Sequence, residues 1–439
     1  MAGIFKAYDI RGIYGETLDE EMAFKIGRAF ATFLKCKKVV VGHDMRPHSK
    51  PLFEALARGL NLQGADVIDI GMCTTPMSYF ANGSLNADAG IIITASHNTG
   101  EWNGLKLCRK QAIPISGETG IMDVERIVNE EAFDAPAAQP GVVTEHAILE
   151  EYVASIRKHA KLERPITIAA DMANSMGILE SEVLKGLVTL DPMFDTYDGT
   201  FPNHEANPLK VETFEDLQEK VRAGSYDFGI AFDGDADRVG FVDELGNVIP
   251  MDIITALIAE DILADEKGVI FYDLRSSWAV KEVIESNGGT AMMSRVGHSF
   301  IKQQMREANA IFAGELSGHY YFRDNFFTES SSLAVLCVAN IVSASDKPLS
   351  ELIKPIQRYF ASGEINSEVK DAAAVLALIK AKYSDGRMFE LDGISVEYDD
   401  WWLNVRTSNT EPLVRLNVEA KTEALMTEKR DELLAAIRS

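Results

Sequence analysis

Residues 91–107, IIITASHNTGEWNGLKL, place a serine beside a histidine at the end of an apolar run. Ser96 could be a nucleophile activated by His97, a helix cap, or a residue with another role. A serine hydrolase would need His97 to reach Ser96 as a base, and adjacent side chains on a strand or turn generally point apart. No G-x-S-x-G elbow surrounds Ser96. The local sequence therefore argues against a Ser-His dyad.

Three aspartates, Asp233, Asp235 and Asp237, alternate with glycine and alanine directly after the apolar stretch DFGIAF. The small residues let the three carboxylates turn inward, and a hard divalent cation such as Mg²⁺ takes oxygen ligands of this kind. The alternatives are a solvated Asp-Gly turn and a calcium loop. An EF-hand would need a loop of about twelve residues that ends in a bidentate glutamate, whereas a strand-like VGFVDE follows here. We favour a metal site.

A second loop offers groups that bind phosphate. NVRTSNTEPLVRLNV brings two guanidinium groups, two hydroxyls and one side-chain amide close together along the chain, and all of them can donate hydrogen bonds to phosphate oxygens. These groups belong to Arg406, Ser408, Asn409, Thr410 and Arg415. A hairpin turn is the alternative, although turning does not need the arginines. Arg238, directly after the aspartates, could balance their charge or touch a phosphate, and an ordinary salt bridge is its alternative.

Two histidine-containing stretches are less specific. FAGELSGHYYF brackets Glu315, Ser317 and His319 with glycines, so alternating polar groups could face one ligand by hydrogen bonding to its hydroxyls. A plain turn explains these residues equally well. RVGHSF places His298 after a predicted strand, a position open to acid–base work. A structural histidine is the more common case.

Three segments that must position these residues share a layout. Each has an apolar, β-branched strand that ends at an aspartate (Asp44, Asp171 or Asp273) and runs on into a helix-like stretch; the first and third clearly add a second strand. Buried parallel strands that alternate with helices are typical of a doubly wound α/β sheet. The sequence therefore predicts three repeated α/β sheet domains.

The last quarter differs from these repeats. EVKDAAAVLALIKAKY and EALMTEKRDELLAAIR predict helices, and GISVEY and LVRLNVEA alternate with period two, as antiparallel strands do. These elements indicate a C-terminal α+β domain. Polar and proline-containing stretches suggest the predicted domain limits, which are 1–140, 141–246, 247–350 and 351–439.

The composition restricts the class of protein. A net charge of −24 argues against a nucleic-acid or anionic-membrane surface, and a phosphate ligand would need local groups of cations. The four cysteines are widely spaced and form no CxxC, which fits free thiols in a reducing compartment. The N-terminus has no signal-like apolar core and no apolar run approaches membrane-spanning length. We expect a cytoplasmic location.

Taken together, YDIRG, TASHN with NGLK, DGDADR, VGHS, GELSGH and RTSNTEP resemble the motifs of the α-D-phosphohexomutase family in their order and intervals. The resemblance covers nearly the whole chain. GELSGH is near the GEMSGH of the bacterial phosphomannomutase and phosphomannomutase/phosphoglucomutase branch, whereas phosphoglucosamine mutases usually carry GEQSGH. The resemblance implies four domains, three mixed α/β and one α+β, around a central active-site cleft.

The activity that this resemblance implies is a reversible interconversion of mannose 6-phosphate and mannose 1-phosphate, feeding GDP-mannose and polysaccharide synthesis. It would proceed through a phosphoserine and a hexose 1,6-bisphosphate, with Mg²⁺ as cofactor. Phosphoglucomutase or phosphoglucosamine mutase is the alternative within the family. A Mg²⁺-dependent sugar phosphatase and a non-catalytic sugar-phosphate sensor are the alternatives of another class. We expect a phosphorylated hexose as partner, no nucleic acid or membrane, and a monomer or weak homodimer.

The resemblance also implies roles for single residues. Mg²⁺ would be held by a phosphate on Ser96 and by Asp233, Asp235 and Asp237. The reacting end would be lined by Arg11, Lys106, Arg238 and His298, with Lys106 and His298 as candidates for proton transfer. Sugar hydroxyls would meet Glu315, Ser317 and His319, and the phosphate that does not react would meet Arg406, Ser408, Asn409 and Thr410. Further substrate contacts are expected at Tyr8, His97, Asn98, Arg275 and Arg415.

Two residues depart from the family pattern. Thr99 stands where relatives commonly have proline, and the loss of a fixed φ could loosen the serine loop. Arg275 stands where many relatives carry lysine, which keeps a cation but changes its geometry.

Overall fold

The computed structural model describes residues 3–407 and 413–438, and four β-sheets organise them. The first sheet contains β1 (Ile10–Ile13), β2 (Lys38–His43), β3 (Asp66–Met72), β4 (Ala89–Ile93), β5 (Trp102–Arg109), β6 (Ile113–Pro114) and β7 (Val143–Glu145). The helices of this part of the chain are α1 (Glu20–Leu34), α2 (Ser49–Leu62), α3 (Thr75–Ser84) and α4 (Ile121–Asn129).

The second and third sheets have five strands each. The second contains β8 (Thr167–Asp171), β9 (Thr189–Met193), β10 (Phe228–Phe232), β11 (Val239–Asp243) and β12 (Val248–Ile249), with α5 (Leu149–Arg157), α6 (Gly177–Glu180) and α7 (Glu215–Ala223). The third contains β13 (Val269–Asp273), β14 (Thr290–Ser294), β15 (Phe312–Gly314), β16 (Tyr320–Phe322) and β17 (Thr328–Glu329), with α8 (Met251–Asp265), α9 (Trp278–Ser286), α10 (His298–Ala308), α11 (Ser331–Ser343) and α12 (Leu349–Ile353).

The fourth sheet is antiparallel and packs against two helices, as the period-two strands predict. It contains β18 (Phe360–Ala361), β19 (Ile365–Glu368), β20 (Arg387–Phe389), β21 (Ile394–Glu397), β22 (Trp401–Thr407) and β23 (Leu413–Ala420), with α13 (Ala372–Lys382) and α14 (Glu423–Ile437). Its apolar side chains form a core of their own, centred on Leu403, Leu416 and Leu433.

The predicted repeat is present in the first three sheets. In each, the strand that ends at the repeated aspartate (β8 or β13) or directly before it (β2) lies between two parallel neighbours, and a fourth strand pairs antiparallel with the third. The sheets are therefore mixed, and the fold class predicted from the sequence is confirmed. In the second repeat, the sequence predicts the helix-like stretch that follows the strand at residues 182–190, EVLKGLVTL, and this prediction is wrong: α6 ends before it at Glu180, only a 3-10 turn at Ser181–Val183 follows, and β9 begins at Thr189.

The turn between the third and fourth strand of each repeat carries chemistry-bearing residues. Ser96 lies between β4 and β5, the three aspartates lie between β10 and β11, and the GELSGH segment lies between β15 and β16. Each turn contains one residue with a left-handed backbone: Ser96 (φ 50°), Ala236 (φ 57°) and Gly318 (φ 86°). Equivalent sheet positions therefore deliver three different sets of side chains.

One large hydrophobic core holds these turns in a common arrangement. It includes Ile92 of the first sheet, Ile230 of the second and Phe312 of the third. Helices α8 and α11 are buried on most of their surface, as expected for helices enclosed by other elements. Within residues 3–407 and 413–438, no helix is both long and apolar enough to cross a membrane.

Candidate active site

Ser96 is delivered by the buried strand β4 and is itself buried, with 1% of its surface exposed. Its backbone N–H donates to Thr94 Oγ1 at 3.0 Å, and its Oγ lies 3.1 Å from Asp233 Oδ2. The left-handed backbone at Ser96 is uncommon for a residue with a side chain, and such strain is retained where the surroundings enforce it. The serine loop of the first sheet thus meets the acidic loop of the second.

The expectation that Ser96 and His97 point apart is wrong. Ser96 Oγ lies 3.2 Å from His97 Nδ1, because the left-handed turn at Ser96 brings adjacent side chains to the same side. A triad would also need a carboxylate that orients the imidazole. Among the described residues, the His97 ring makes its hydrogen bond to Ser96 and has no carboxylate partner. Burial, Arg238 and Arg11 keep the pKa of His97 well below its ordinary value.

Arg46 holds the serine loop from behind, a role that the sequence reading missed. Its guanidinium donates to four backbone carbonyl oxygens, those of Ser96 (3.0 Å), Asn98 (2.6 Å), Thr99 (2.7 Å) and Trp102 (3.1 Å). It also pairs with the repeated aspartate of its own sheet, at 3.1 Å. At position 99, where relatives commonly have proline, the backbone is therefore fixed from outside. The signal was present in the sequence, since HDMR and YDLR both place an arginine two residues after that aspartate.

Lys106, on β5, lies between two of the three aspartates. Its Nζ is 2.6 Å from Asp235 Oδ2 and 2.5 Å from Asp237 Oδ2, and all three side chains are buried. Burial lowers the pKa of Lys106, but the two carboxylates outweigh this and raise it above the ordinary value. Thr75 Oγ1 also donates to Asp235 Oδ2, at 2.5 Å. The structure thus brings Ser96, Lys106 and the acidic loop together.

The acidic loop has the properties of a metal site. Ligand oxygens of Asp233, Asp235 and Asp237 lie within 4.8 Å of one another. The Oδ1 atoms of Asp235 and Asp237 are buried and accept no hydrogen bond among the described residues. Burial and the other two carboxylates raise the pKa of Asp233 well above its ordinary value. A divalent cation would neutralise this repulsion and occupy the unused oxygens, so the donor set fits a hard metal ion.

Two predicted arginines border this group. Arg11 donates to the carbonyl oxygen of Ala95 at 2.8 Å and to the side chain of Asn98, so Asn98 supports the loop around Ser96. Arg238 Nε lies 3.7 Å from Asp233 Oδ2 and 3.9 Å from an oxygen of Asp237. Its Nη1 is buried without a hydrogen-bond partner among the described residues. These cations, with Lys106, face the three loop aspartates and Asp9, which pairs with Arg11 at 2.8 Å.

The GELSGH turn meets the acidic loop through His319. His319 Nε2 lies 3.3 Å from Asp237 Oδ1, and its Nδ1 lies 3.0 Å from Glu315 Oε2 and 2.9 Å from Ser317 Oγ. Tyr321 donates to Glu315 at 2.6 Å. Burial raises the pKa of Glu315, but His319 and Arg275 outweigh this and bring it down to about 2. The three predicted sugar-contact residues therefore lie together, with their carboxylate ionised.

His298 begins α10 and lies close to the same turn. Its ring centroid is 6.3 Å from that of His319 and 6.1 Å from that of Tyr8. Its Nδ1 is buried and has no hydrogen-bond partner among the described residues. Burial, Lys302 and Lys106 lower the pKa of His298 well below its ordinary value, so the ring is neutral at neutral pH. A neutral imidazole nitrogen can accept a proton.

Arginines of the third and fourth sheets gather around one glutamate. Arg275, Arg406 and Arg415 all approach Glu364, which precedes β19. Of the predicted phosphate-binding residues, Ser408, Asn409 and Thr410 lie outside the described residues. Glu364 was not singled out from the sequence, because a lone glutamate between two strands has no chemical signature. Arg275 connects to the sugar-contact turn through Asp273, which accepts the backbone N–H of Leu316 at 2.8 Å.

Comparison with known proteins gives a consistent result along the chain. Models of the phosphoglucomutase/phosphomannomutase alpha/beta/alpha domains I, II and III match residues 2–135, 150–246 and 250–359, and the C-terminal domain model of the same family matches 364–436. A phosphomannomutase of Escherichia coli is 42% identical over 450 aligned positions, which cover 99% of each chain. A phosphomannomutase of Methanocaldococcus jannaschii is also 42% identical, over 98% of this chain and 96% of its own.

A solved structure agrees with these matches. The X-ray structure of a phosphoglucomutase/phosphomannomutase family protein from Burkholderia thailandensis superposes with a TM-score of 0.91 and 33% identity, covering 99% of this chain and 96% of its own. The resemblance seen in the motifs is thereby confirmed: the chain belongs to the phosphoglucomutase/phosphomannomutase family of α-D-phosphohexomutases.

Proposed function

We propose that the chain is a phosphomannomutase that interconverts mannose 6-phosphate and mannose 1-phosphate through a phosphoserine at Ser96. The observation that carries this proposal is the approach of Ser96 Oγ to Asp233 Oδ2, at 3.1 Å. It brings one strained, buried serine hydroxyl to the edge of a three-aspartate site, with Lys106 beside it. Three relatives that are 41% or 42% identical to this chain are named phosphomannomutase, which supports mannose as the sugar.

In the first half-reaction, a hydroxyl oxygen of the sugar phosphate bonds to the phosphorus carried by Ser96 as the P–Oγ bond breaks. Ser96 Oγ keeps the electron pair of that bond, and the proton of the attacking hydroxyl passes to His298, because the raised pKa of Lys106 keeps that side chain protonated. The product is a hexose 1,6-bisphosphate. After this intermediate turns around, its other phosphoryl group returns to Ser96, so the phosphoserine is regenerated and no phosphate is lost.

The charges near Ser96 suit this transfer. Mg²⁺ bound at the three aspartates would supply positive charge to the equatorial oxygens of the transferring phosphoryl group. Arg11 and Arg238 border the same space and would bind those oxygens from the protein side. Neutral His298 can accept the proton of the attacking hydroxyl.

The other end of the substrate would meet the fourth domain. Arg275, Arg406 and Arg415 would bind the phosphate that does not react, with Ser408, Asn409 and Thr410 completing that loop. A site that recognises phosphate, rather than one end of the sugar, accepts both orientations of the bisphosphate. Glu315, Ser317 and His319 would hold sugar hydroxyls between the two phosphates, with Tyr8 and His97 as further contacts. The domain limits 1–140, 141–246, 247–350 and 351–439, the cytoplasmic location and the monomer or weak homodimer remain predictions.

The test measures turnover of mannose 1-phosphate and glucose 1-phosphate side by side, with Mg²⁺ and a catalytic amount of hexose 1,6-bisphosphate. We expect faster turnover of the mannose ester, and Ser96→Ala should lower kcat by at least about 10³-fold because no phosphoryl carrier remains. Ser84→Ala, at an exposed serine at the end of α3, is the control. A preference for glucose would indicate a phosphoglucomutase. Release of inorganic phosphate in proportion to substrate would indicate a phosphatase, and no turnover would leave only binding.

A further inference from the structure

Glu364 occupies the centre of the arginine cluster of the third and fourth domains. Its Oε2 accepts a hydrogen bond from Arg406 Nη2 at 2.7 Å and lies 3.4 Å from Arg275 Nη1. Its Oε1 lies 3.6 Å from Arg415 Nη1. Three guanidinium groups from two domains therefore approach one carboxylate, although the main partner of Arg275 is Asp273, at 2.7 Å.

The Glu364 carboxylate accepts hydrogen bonds from only some of the N–H donors of these arginines. Arg406 is buried, and its Nε has no hydrogen-bond partner among the described residues, although Nε and Nη2 lie on the same edge of the guanidinium group. A phosphate has three outer oxygens and can accept hydrogen bonds from both donors of such an edge, which is the preferred geometry of arginine with phosphate. The cluster is thus better matched to a phosphate than to the glutamate that it holds.

The charges lead to the same conclusion. Three guanidinium groups, Glu364 and Asp273, which pairs with Arg275 at 2.7 Å, leave a net charge of about +1 by simple counting, and a sugar phosphate is close to a dianion near neutral pH. Burial alone would raise the pKa of Glu364, but Arg275 and Arg406 bring it down to about 2, so this residue stays ionised. A phosphate that enters the cluster therefore meets three cations and two fixed negative charges, of which Asp273 is bound to Arg275 and Glu364 to Arg406.

We propose that Glu364 is a built-in competitor of the substrate's non-reacting phosphate, which shares its arginines and weakens its binding. This inference rests on the proposed function for its purpose: a bisphosphate that has to turn around must release its distal phosphate in every catalytic cycle. As that phosphate leaves, Glu364 supplies a replacement anion, so the buried guanidinium group of Arg406 keeps a carboxylate partner.

The test uses the full chain without substrate and measures the Kd of inorganic phosphate by calorimetry. Glu364→Gln should bind phosphate about tenfold more tightly, because one nearby negative charge is gone while the arginines remain. Its affinity should also fall more steeply with salt than that of the wild type. Glu368→Gln is the matched control, since it removes the same charge at an exposed position at the far end of β19. Glu364→Asp keeps the negative charge but moves it away from the arginines, so its gain in phosphate affinity should be smaller.

A double variant locates the effect. The gain from Glu364→Gln should disappear when Arg406→Gln is added, because two residues that share one ligand do not contribute additively. Unchanged or weaker phosphate binding in both Glu364→Gln and Glu364→Asp would overturn the proposal and indicate that Glu364 merely orients the arginines. The phosphate measurement needs no turnover, so its outcome is separate from that of the mutase assay. If the mutase activity is present, Glu364→Gln should lower KM and kcat together.

Discussion

Gly234 is the point of closest approach between the loop that carries Ser96 and the loop that carries the three aspartates. A methyl group at residue 234 would lie 2.1 Å from the carbonyl oxygen of Ser96 and 3.0 Å from its carbonyl carbon. The φ angle of Gly234 lies outside the left-handed region, so an alanine is permitted there by its own backbone. Gly234→Ala is therefore a steric test of how rigidly the two loops are held together.

The size of the effect follows from this contact. To bring the new methyl group to 3.0 Å from the oxygen, one loop has to retreat by about 0.9 Å, the difference between 3.0 and 2.1 Å. A misplacement of about 1 Å in a reacting group costs about 10²-fold in rate, which corresponds to about 2.7 kcal/mol of activation free energy. The same overpacking costs about 1–3 kcal/mol of the free energy of unfolding. We expect kcat to fall about 100-fold in a protein that still folds.

The assay is kcat at saturating substrate and Mg²⁺, with the melting temperature measured on the same preparation. Gly117→Ala is the control, because its methyl group would meet its nearest neighbour at 3.4 Å, an ordinary contact distance. Should folded Gly234→Ala keep its kcat within about threefold of the wild type, the argument that this contact sets the position of Ser96 is refuted.

Three further outcomes are expected. Arg46→Lys should lower kcat by about 10- to 100-fold with little change in KM, since an ammonium group cannot donate to four carbonyl oxygens at once; an unchanged kcat would remove Arg46 from the positioning of Ser96. Mg²⁺ should stabilise the wild type, by up to about 2.7 kcal/mol of unfolding free energy at 100 times its Kd, and this should appear as a higher melting temperature that EDTA reverses. Asp235→Asn should lose most of this shift, and an equal shift in that variant would contradict the metal site. The pKa of Glu419 is raised to about 7, chiefly by burial, although Trp278 and Trp402 donate to it at 2.9 Å. A raised carboxyl pKa stabilises the folded protein at pH values below the unfolded pKa of 4.5, and this contribution is lost as pH rises to about 7. Glu419→Gln should therefore be more stable than the wild type at pH 8, by roughly 1–3 kcal/mol, and similar to it near pH 4. Chemical denaturation at the two pH values checks this.

Much of the fold could be predicted because its signals are local. The apolar, β-branched runs before Ser96 and Asp233 became the buried strands β4 and β10, and the period-two stretches of the last quarter became antiparallel strands. The second repeat is where this reasoning overreached. Residues 182–190, EVLKGLVTL, have apolar residues at helical spacing, but α6 ends before them at Glu180, whose buried carboxylate accepts hydrogen bonds from Thr74 and Tyr152 of other elements. Tertiary contacts decided that boundary.

The site divides in the same way. Its residues could be selected because each set follows a predicted strand and because the motifs, as a group, are specific to one family. The contact between Ser96 and His97 could not be predicted, since it depends on one left-handed residue that is not glycine. Arg46 was missed although the third repeat contains the same Asp-x-Arg spacing, because nothing local indicates that its partners are the carbonyl oxygens of a loop 50 residues away.

By itself, the sequence determined which residues end the strands, which turns carry acids, hydroxyls and arginines, and to which family the chain belongs. These properties follow from burial periodicity and from the residue types that each chemistry requires, and both can be read along the chain. Only the tertiary structure decided that Ser96 meets Asp233, 137 residues away, and that Glu364 lies among three arginines. Such contacts are set by how separate sheets pack on a shared core, and that packing depends on side-chain volumes summed over the whole molecule rather than on any local pattern.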